Sequence, residues 1–240
     1  MISFKGKHFP KAVILMAVRW YTAYSLSYRD VEELMLERGT HVDHATLNRW
    51  VIEFSPKLEA VFRRRYKRKV NASWRMDETY VKVKGKWHYY YRAVDKHGKT
   101  LDFWLSETRN KHDAMAFFEK TIGQHGLPEK VTVDKSGANA AAIKRLNLIL
   151  ALLALVIYWI SGKVLWWHQV LMRQIKYLNN SVEQDHRFIK KLTKPMMGFK
   201  AFHSACATLT GIELHHMLRK EQHMHSANQS LFQQFYALAA

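Results

Sequence analysis

The chain has 240 residues, of which 48% are hydrophobic and 13% aromatic, so it carries enough apolar material for a packed core and is not globally disordered. Its 38 Lys and Arg residues outnumber its 20 Asp and Glu residues, and the formal net charge of +18, spread along the whole chain, favours nucleic acid as the partner over a membrane surface. The single cysteine excludes an internal disulfide, and an N-terminus without an apolar stretch of signal-peptide length predicts a cytoplasmic protein.

Three helices are predicted in the N-terminal region. Apolar residues recur at helical spacing over residues 11–24. The side chains of Ser27 and Asp43 are of the kind that caps a helix N-terminus, so the second and third helices are expected to begin after them. Gly39 fits the end of the second helix. This order predicts a helix-turn-helix unit. A small helical bundle would give the same pattern, and the positive charge favours the first interpretation.

The third helix is expected to run from His44 to about Phe54, and Pro56 is expected to end it. These helices predict a helix-turn-helix DNA-binding domain over residues 1–56. Residues 57–73 follow as a basic linker; such a run is usually a solvated face, but its position favours contact with phosphate. The residues predicted to contact DNA in these two segments are Arg29, His44, Thr46, Asn48, Arg49, Arg63, Arg64 and Arg65.

Strands and helices alternate after the linker. Segments rich in Val, Tyr, Trp and Phe, separated by glycine-containing turns, predict a three-stranded antiparallel meander. The expected strands are 74–83, 87–94, 101–105 and 130–133, and the expected helices are 111–124, 137–146, 182–192 and 198–220. This order predicts an α/β fold in which a mixed sheet is flanked by helices, with a catalytic domain over residues 74–220 and a C-terminal tail over 221–240.

Three acids occupy positions from which they can meet. Asp77 lies in the first predicted strand, Asp134 ends a later strand, and Glu183 opens a helix. Each acid alone is weak evidence, but carboxylates gathered in a basic chain are the ligands that Mg²⁺ prefers, and two such ions serve phosphodiester displacement. Glu78 and Asp185 neighbour these acids and are expected either to support them or to face outward, and the alternation of side chains along a strand favours Asp77 and Glu78 pointing to opposite faces.

Motifs along nearly the whole chain resemble one protein family. The chain is similar to the DDE transposases, whose catalytic core is ribonuclease-H-like, and more narrowly to the insertion-sequence-six family of small bacterial transposases. The matching segments are Phe4-Lys5-Gly6-Lys7-His8-Phe9, Val18-Arg19-Trp20-Tyr21, Ser27-Tyr28-Arg29-Asp30, Val42-Asp43-His44-Ala45-Thr46, Met76-Asp77-Glu78-Thr79-Tyr80-Val81-Lys82-Val83, Tyr91-Arg92-Ala93-Val94-Asp95, Arg173-Gln174-Ile175-Lys176-Tyr177-Leu178-Asn179-Asn180 and Met197-Gly198-Phe199-Lys200.

The resemblance implies a site and a reaction. Asp77, Asp134 and Glu183 match the three metal-binding acids, and Lys190 matches a basic catalytic residue two turns after the glutamate, although a lysine on a solvated face would look the same. Two Mg²⁺ or Mn²⁺ ions are the implied cofactors. The implied reaction is cleavage at terminal inverted repeats, which frees a 3′-hydroxyl, and direct attack of that hydroxyl on target DNA. Further DNA contacts are expected from Lys176, Lys190 and Lys191.

One segment departs from the family pattern. Between Asp134 and Glu183 lie 48 residues, more than the family usually places there, and the excess falls in an apolar insertion at about 147–168. Its continuous apolar run, 148–160, is shorter than a membrane span, so no stable membrane partner is expected. An extra buried helix, an oligomerisation surface and a segment damaged by local sequence change remain open as interpretations.

Three functional hypotheses follow. The first is an active DNA transposase that binds the terminal inverted repeats and target DNA, located in the bacterial cytoplasm at the nucleoid. Since two DNA ends must meet, at least a homodimer is expected. The second is a catalytically inactive transposase-derived DNA-binding protein or repressor, for which the helix-turn-helix alone would suffice. The third is a membrane-associated protein anchored through residues 148–167.

Overall fold

The structure is a computed structural model that describes residues 2–134, 137–163, 169–174 and 180–240. The chain forms two compact units. The first unit consists of Met1–Arg68, Val81–Lys86 and Arg187–Ala240. The second unit consists of Lys69–Tyr80 and Trp87–His186. The helices are α1 (Lys11–Ala23), α2 (Tyr28–Leu36), α3 (His44–Val61), α4 (Lys111–His125), α5 (Gly137–Ser161), α6 (Asn180–Thr193), α7 (Phe202–Arg219) and α8 (Leu231–Ala237), and the strands are β1 (Ser73–Val83), β2 (Lys86–Asp95), β3 (Thr100–Ser106), β4 (Lys130–Thr132) and β5 (Leu171–Arg173).

The first unit is helical, and the predicted helix starts are confirmed. The Ser27 hydroxyl accepts a hydrogen bond from the Asp30 amide while the Asp30 carboxylate accepts one from the Ser27 amide, so both residues stabilise the start of α2. The Asp43 carboxylate accepts from the amides of Ala45 and Thr46 at the start of α3. Helix α8 was not predicted.

The prediction that Pro56 ends the third helix is wrong. Helix α3 continues to Val61 and is followed by a π-helical turn, Phe62–Tyr66. Phe54, Leu58 and Phe62 recur every fourth residue and are all fully buried, so the apolar stripe of the helix extends past the proline. Pro56 itself is exposed. Burial of Leu58 and Phe62 thus outweighs the hydrogen bond that the proline removes.

A glycine allows α7 to approach α1 and α3 closely. A Cβ atom at Gly211 of α7 would lie 2.6 Å from Ser55 Oγ of α3 and 2.6 Å from Thr22 Cγ2 of α1. Real Cβ atoms do not come so near to other atoms, so only glycine fits at this crossing.

The second unit contains a five-stranded mixed sheet in the order β3-β2-β1-β4-β5. Strands β2 and β3 pair antiparallel, with Tyr91 opposite Trp104, and β4 pairs parallel to both β1 and β5. The predicted meander is confirmed, and β5 was missed. An antiparallel meander followed by two strands parallel to its first strand is the ribonuclease-H-like arrangement, so the predicted fold class is confirmed.

The core of this unit lies between the sheet and two helices. Buried side chains of β1, β2 and β4, including Trp74, Tyr91 and Val131, pack with Phe117 and Phe118 of α4 and with the first half of α5. This packing holds the sheet ends that carry the predicted acids in a fixed relation to α4 and α5.

The second half of α5 leaves the core. The side-chain amide of Asn147 donates to the Val170 carbonyl at 3.0 Å and accepts from the Val170 amide at 2.9 Å, so the chain departs and returns at one point. We call residues 148–169 the excursion. Its exposed apolar residues include Leu148, Leu152, Leu153, Leu155, Val156, Ile157, Tyr158, Trp159 and Ile160. The interpretation as an extra buried helix is therefore wrong for residues 148–160.

By length and composition alone, α5 would be able to cross a membrane, a criterion that core helices of soluble proteins also meet. Its first half belongs to the core, where Asn139, Ala142, Ile143 and Leu146 are buried. Residues 148–161, the part of this helix that leaves the core, are fewer than the roughly 20 residues that span a bilayer.

Candidate active site

The parallel pairing of β1 and β4 brings two predicted acids together. Arg75 of β1 lies opposite Thr132, the last residue of β4, and Asp77 and Asp134 each follow this pair by two residues. Ligand oxygens of Asp77, Glu78 and Asp134 all lie within 4.8 Å of one another. We call these three residues the acid cluster.

The expectation that Glu78 points away from Asp77 is wrong. Burial alternates along β1 up to Met76, but both Asp77 and Glu78 are half-buried and the alternation resumes one residue out of phase at Thr79. The Glu78 carboxylate therefore joins the cluster, and its side chain is only 4% exposed. The Asn139 side chain of α5 donates a hydrogen bond to Glu78 Oε1 at 2.9 Å.

Arg109 lies beside two carboxylates of the acid cluster. It follows β3, and its Nη2 lies 3.6 Å from Glu78 Oε2 and 3.5 Å from Asp134 Oδ2. Burial raises the pKa of Glu78 to about 7; Arg109 opposes this rise in pKa, and the neighbouring carboxylates of Asp134 and Asp77 add to it. Sequence reasoning missed Arg109, since a single arginine after a strand carries no recognisable signal.

Glu183 is exposed in the first turn of α6 and is not a member of the acid cluster as found among the described residues. The residues that follow it do contact the sheet. Asp185 Oδ2 lies 2.8 Å from Nη2 of the fully buried Arg92 on β2, and His186 Nε2 lies 3.5 Å from Asp77 Oδ2. Lys190 and Lys191 are exposed in the last turn of α6.

The predicted DNA-contacting residues differ in the solvent exposure of their side chains. Arg29, His44, Arg49, Arg64 and Arg65 are exposed, whereas Thr46, Asn48 and Arg63 are half-buried. His44 Nδ1 lies 3.1 Å from Glu32 Oε2, Arg49 donates to Thr46 Oγ1 at 2.8 Å, and Arg63 pairs with Glu59. Lys176 lies outside the described residues.

The acid cluster fits a divalent metal. Its donors are carboxylate oxygens, the hard ligands that Mg²⁺ and Mn²⁺ take in proteins. Asp77 and Glu78 lie on β1, and Asp134 closely follows β4, the strand that pairs parallel to β1, so the fold brings the donors together. A ribonuclease-H-like sheet with acids at this position defines the class to which the DDE transposases belong.

Comparison with known proteins identifies the family within that class. Residues 71–222 match a family model described as a DDE domain. The chain is 41% identical over 219 residues to the transposase for insertion sequence-like element IS431mec of Staphylococcus aureus (strain Mu50 / ATCC 700699), covering 91% of this chain and 89% of that protein. Identity and coverage are the same for the transposase for insertion sequence element IS257 in transposon Tn4003 of Staphylococcus aureus.

The chain therefore belongs to the insertion-sequence-six family of DDE transposases, as the sequence motifs predicted, and is a transposase of an insertion sequence. Among solved structures, the HTLV-2 integrase catalytic core domain in complex with magnesium (trimeric form) is similar with a TM-score of 0.39 and 13% identity, over 71% of this chain and 84% of that chain.

Proposed function

We propose that this transposase binds the terminal inverted repeats of its element and catalyses strand cleavage and strand transfer with divalent metal in the bacterial cytoplasm, at the nucleoid. The observation that carries the proposal is the convergence of Asp77, Glu78 and Asp134 on one sheet edge in a chain with a net charge of +18. Acids concentrated in a basic protein suit metal held against a polyanion.

Asp77 and Asp134 would hold the metal from the sheet, and Glu183 would contribute the third carboxylate from α6. When two Mg²⁺ or Mn²⁺ ions are bound, they supply activation of the attacking oxygen and stabilisation of the leaving oxygen. Arg109 neutralises part of the charge of the carboxylates, which lets Asp134 and the buried Glu78 lie close together. Lys190, seven residues after Glu183 on the same helix face, would act as the basic catalytic residue and contact DNA phosphate; its exposed side chain supports this role.

Two successive displacements make up the proposed reaction. Water first attacks the phosphodiester at the end of the element, and the 3′-oxygen leaves as a hydroxyl. That hydroxyl then attacks a target phosphodiester, forming one bond as another breaks, without a covalent protein intermediate. Because two element ends must be joined to one target, we propose at least a homodimer.

Binding is assigned to the N-terminal part of the chain. We propose that residues 1–56 read the terminal repeat as a helix-turn-helix domain and that residues 57–73 contact phosphate, with the catalytic domain at 74–220 and the C-terminal tail at 221–240. Arg29, His44, Arg49, Arg64 and Arg65 support this assignment because their side chains are exposed. Arg63 is a weaker candidate since it pairs with Glu59.

The experiment separates cleavage from binding. The substrate is a duplex that carries the terminal repeat read from the DNA flanking the gene, assayed with Mg²⁺ and with Mn²⁺. Asp77→Asn, Asp134→Asn and Glu183→Gln are expected to lower the cleavage rate by about a hundredfold or more, because each removes a metal ligand. Binding of the duplex, measured by fluorescence anisotropy, is expected to stay within about twofold of wild type, because phosphate contacts dominate affinity.

The control is Glu119→Gln, which makes the same change at an exposed glutamate on α4 and is expected to leave both measurements unaltered. If the Glu183→Gln variant cleaves the duplex at the wild-type rate, Glu183 does not belong to the active site. The second hypothesis, an inactive DNA-binding protein or repressor, is favoured by the position of Glu183 outside the acid cluster. Binding of the repeat by the wild-type chain without cleavage would establish it.

A further inference from the structure

We infer that Arg92, Asp185 and His186 are positioning residues that fix the rotation and register of α6, so that Glu183 is presented to the acid cluster. The inference rests on the proposed function, in which Glu183 completes the metal-binding acids. It assigns a task to three residues that are not metal ligands themselves.

The first contact is a buried ion pair. Arg92 of β2 is fully buried, the Asp185 side chain is 9% exposed, and the two are joined at 2.8 Å. Two charges removed from water lose several kcal/mol of hydration each, and only close pairing offsets that loss. A shift of α6 by one residue would turn it by about 100° and break the pair, so the buried guanidinium selects one register of the helix.

The second contact fixes which side of α6 meets the acid cluster. His186, next to Asp185, has its Nε2 3.5 Å from Asp77 Oδ2 and is buried. Adjacent residues point about 100° apart around a helix, so the two contacts together define the rotation of α6. Glu183 precedes His186 by three residues, so it lies about 60° around the helix from His186 and one turn nearer the N-terminus, with its side chain exposed. Glu183 thus borders the side of α6 that faces Asp77.

These contacts also make the placement of Glu183 independent of the excursion. The chain between Asp134 and α6 contains residues 148–169, whose two ends are joined through Asn147 and Val170. Helix α6 then makes its own contacts to β1 and β2 through His186 and Asp185. The length of the apolar segment therefore does not determine where the helix docks.

The test measures binding of Mn²⁺ alone to the full chain without DNA, by electron paramagnetic resonance of the free ion. Glu183→Gln and Asp185→Asn are each expected to weaken Mn²⁺ affinity by about tenfold, since residues that orient a ligand typically contribute on that order. If Asp185 acts through Glu183, the double variant binds no more weakly than Glu183→Gln. Effects that multiply in the double variant would overturn the inference.

Asp102→Asn is the matched control. Asp102 is also a fully buried acid paired with a cation, Lys120 Nζ at 2.7 Å, but it joins β3 to α4. The Mn²⁺ affinity of the Asp102→Asn variant is expected to stay within about twofold of that of wild type. Hydrogen exchange supplies a second measurement: the amides of α6 exchange faster in Asp185→Asn and at the wild-type rate in Asp102→Asn. Unchanged α6 exchange in Asp185→Asn would also overturn the inference.

Two further variants cover the case in which Asp185→Asn does not fold. Arg92→Gln combined with Asp185→Asn removes both charges and leaves no unpaired buried ion, and His186→Gln tests the other contact. Each is expected to weaken Mn²⁺ binding and to have no further effect in the Glu183→Gln background. If Glu183→Gln itself leaves Mn²⁺ affinity unchanged, the proposed role of Glu183 fails, while exchange of α6 still decides whether these residues position the helix.

Discussion

The surroundings of Glu78 in the acid cluster raise the pKa of its carboxyl. Its carboxyl is nearly excluded from solvent, and burial raises its pKa to about 7, against the opposing effect of Arg109. Near neutral pH the folded protein therefore holds this carboxyl partly protonated, whereas the unfolded chain, with a pKa of 4.5, holds it ionised. The folded state binds more protons between these two values.

Glu78→Gln tests this protonation. In wild type, the stability that Glu78 contributes is complete below pH 4.5 and is lost as the pH rises through about 7, because the folded pKa is the raised one. Glutamine keeps the shape and cannot ionise. As the pH rises from 5 to 8, the unfolding free energy of the variant should therefore increase relative to that of wild type, by up to about 3 kcal/mol. Urea unfolding in the presence of a metal chelator at both pH values measures the difference.

Glu119→Gln on the exposed side of α4 is the control for this pH series. The difference in unfolding free energy between Glu119→Gln and wild type should change by less than about 0.5 kcal/mol between the same pH values, as expected of a surface substitution. A constant difference between Glu78→Gln and wild type across the series would show that Glu78 is ionised throughout.

Sequence reasoning placed Asp77 and Asp134 on neighbouring strands, and the structure brings their oxygens together. Their metal-binding role stays a prediction. Glu78 was assigned to the wrong face because alternation along β1 shifts by one residue at this point, and no residue type in the strand signals that shift. Arg109 reaches the cluster from a loop, and its position depends on the turn between β3 and α4.

At the scale of elements, the crossing of α7 with α1 and α3 depends on Gly211. Gly211→Ala is expected to destabilise the protein by about 1–3 kcal/mol, because its Cβ would overlap Ser55 and Thr22 and the helices would have to separate. Thermal unfolding followed by circular dichroism at 222 nm measures the change as a fall in melting temperature of several degrees.

Gly123→Ala makes the same substitution on α4 at a position where a Cβ meets nothing within 4 Å. This control should gain about 0.5–1 kcal/mol, since alanine loses less conformational entropy in a helix than glycine does. Equal melting temperatures for Gly211→Ala and wild type would mean that the crossing can open without cost.

The elements that sequence reasoning found are those with long periodic patterns. The three strands of the meander, α2 and α4 were predicted close to their observed bounds, and the start of α3 was predicted at His44, where it is observed. The three-residue strand β5 was missed because so short a segment shows no period. Pro56 was given too much weight because burial of Leu58 and Phe62 beyond it depends on tertiary packing.

At the scale of the whole molecule, the compact units do not follow the order of the chain. Residues 81–86 and 187–240 join the first 68 residues, while residues 69–80 and 87–186, which include most of the sheet, form the other unit. Sequence reasoning divides a chain into consecutive segments and has no means of foreseeing such an exchange. The proposed division at residues 56, 73 and 220 stays a prediction.

The exposed part of α5 is expected to associate with a second copy of the chain. Leu148, Leu152, Leu155 and Trp159 recur at the spacing of a coiled-coil seam and are all exposed. Leu152→Glu with Leu155→Glu should shift the protein towards monomer by placing charge in that seam. Size-exclusion chromatography with light scattering over a series of concentrations measures this shift.

Leu36→Glu with Leu127→Glu introduces two glutamates at exposed leucines outside α5 and serves as the control. It should associate as wild type does. Dissociation of both double variants to the same extent would indicate a general effect of charge, and wild-type association of the α5 variant would exclude this surface. A wild-type chain that is soluble only with detergent would favour the membrane-associated hypothesis.

The bond between Asn147 and Val170 has a practical consequence. The side chain of Asn147, just before the excursion, is hydrogen-bonded to the backbone of Val170, just after it, so the number of residues between these two positions can change. Doubling a loop costs only about 0.6 kcal/mol in closure entropy. A short turn, an epitope or a fluorescent reporter grafted between residues 147 and 170 should leave the sheet intact. Surveys that judge transposases by a fixed distance between acids would discard chains built in this way.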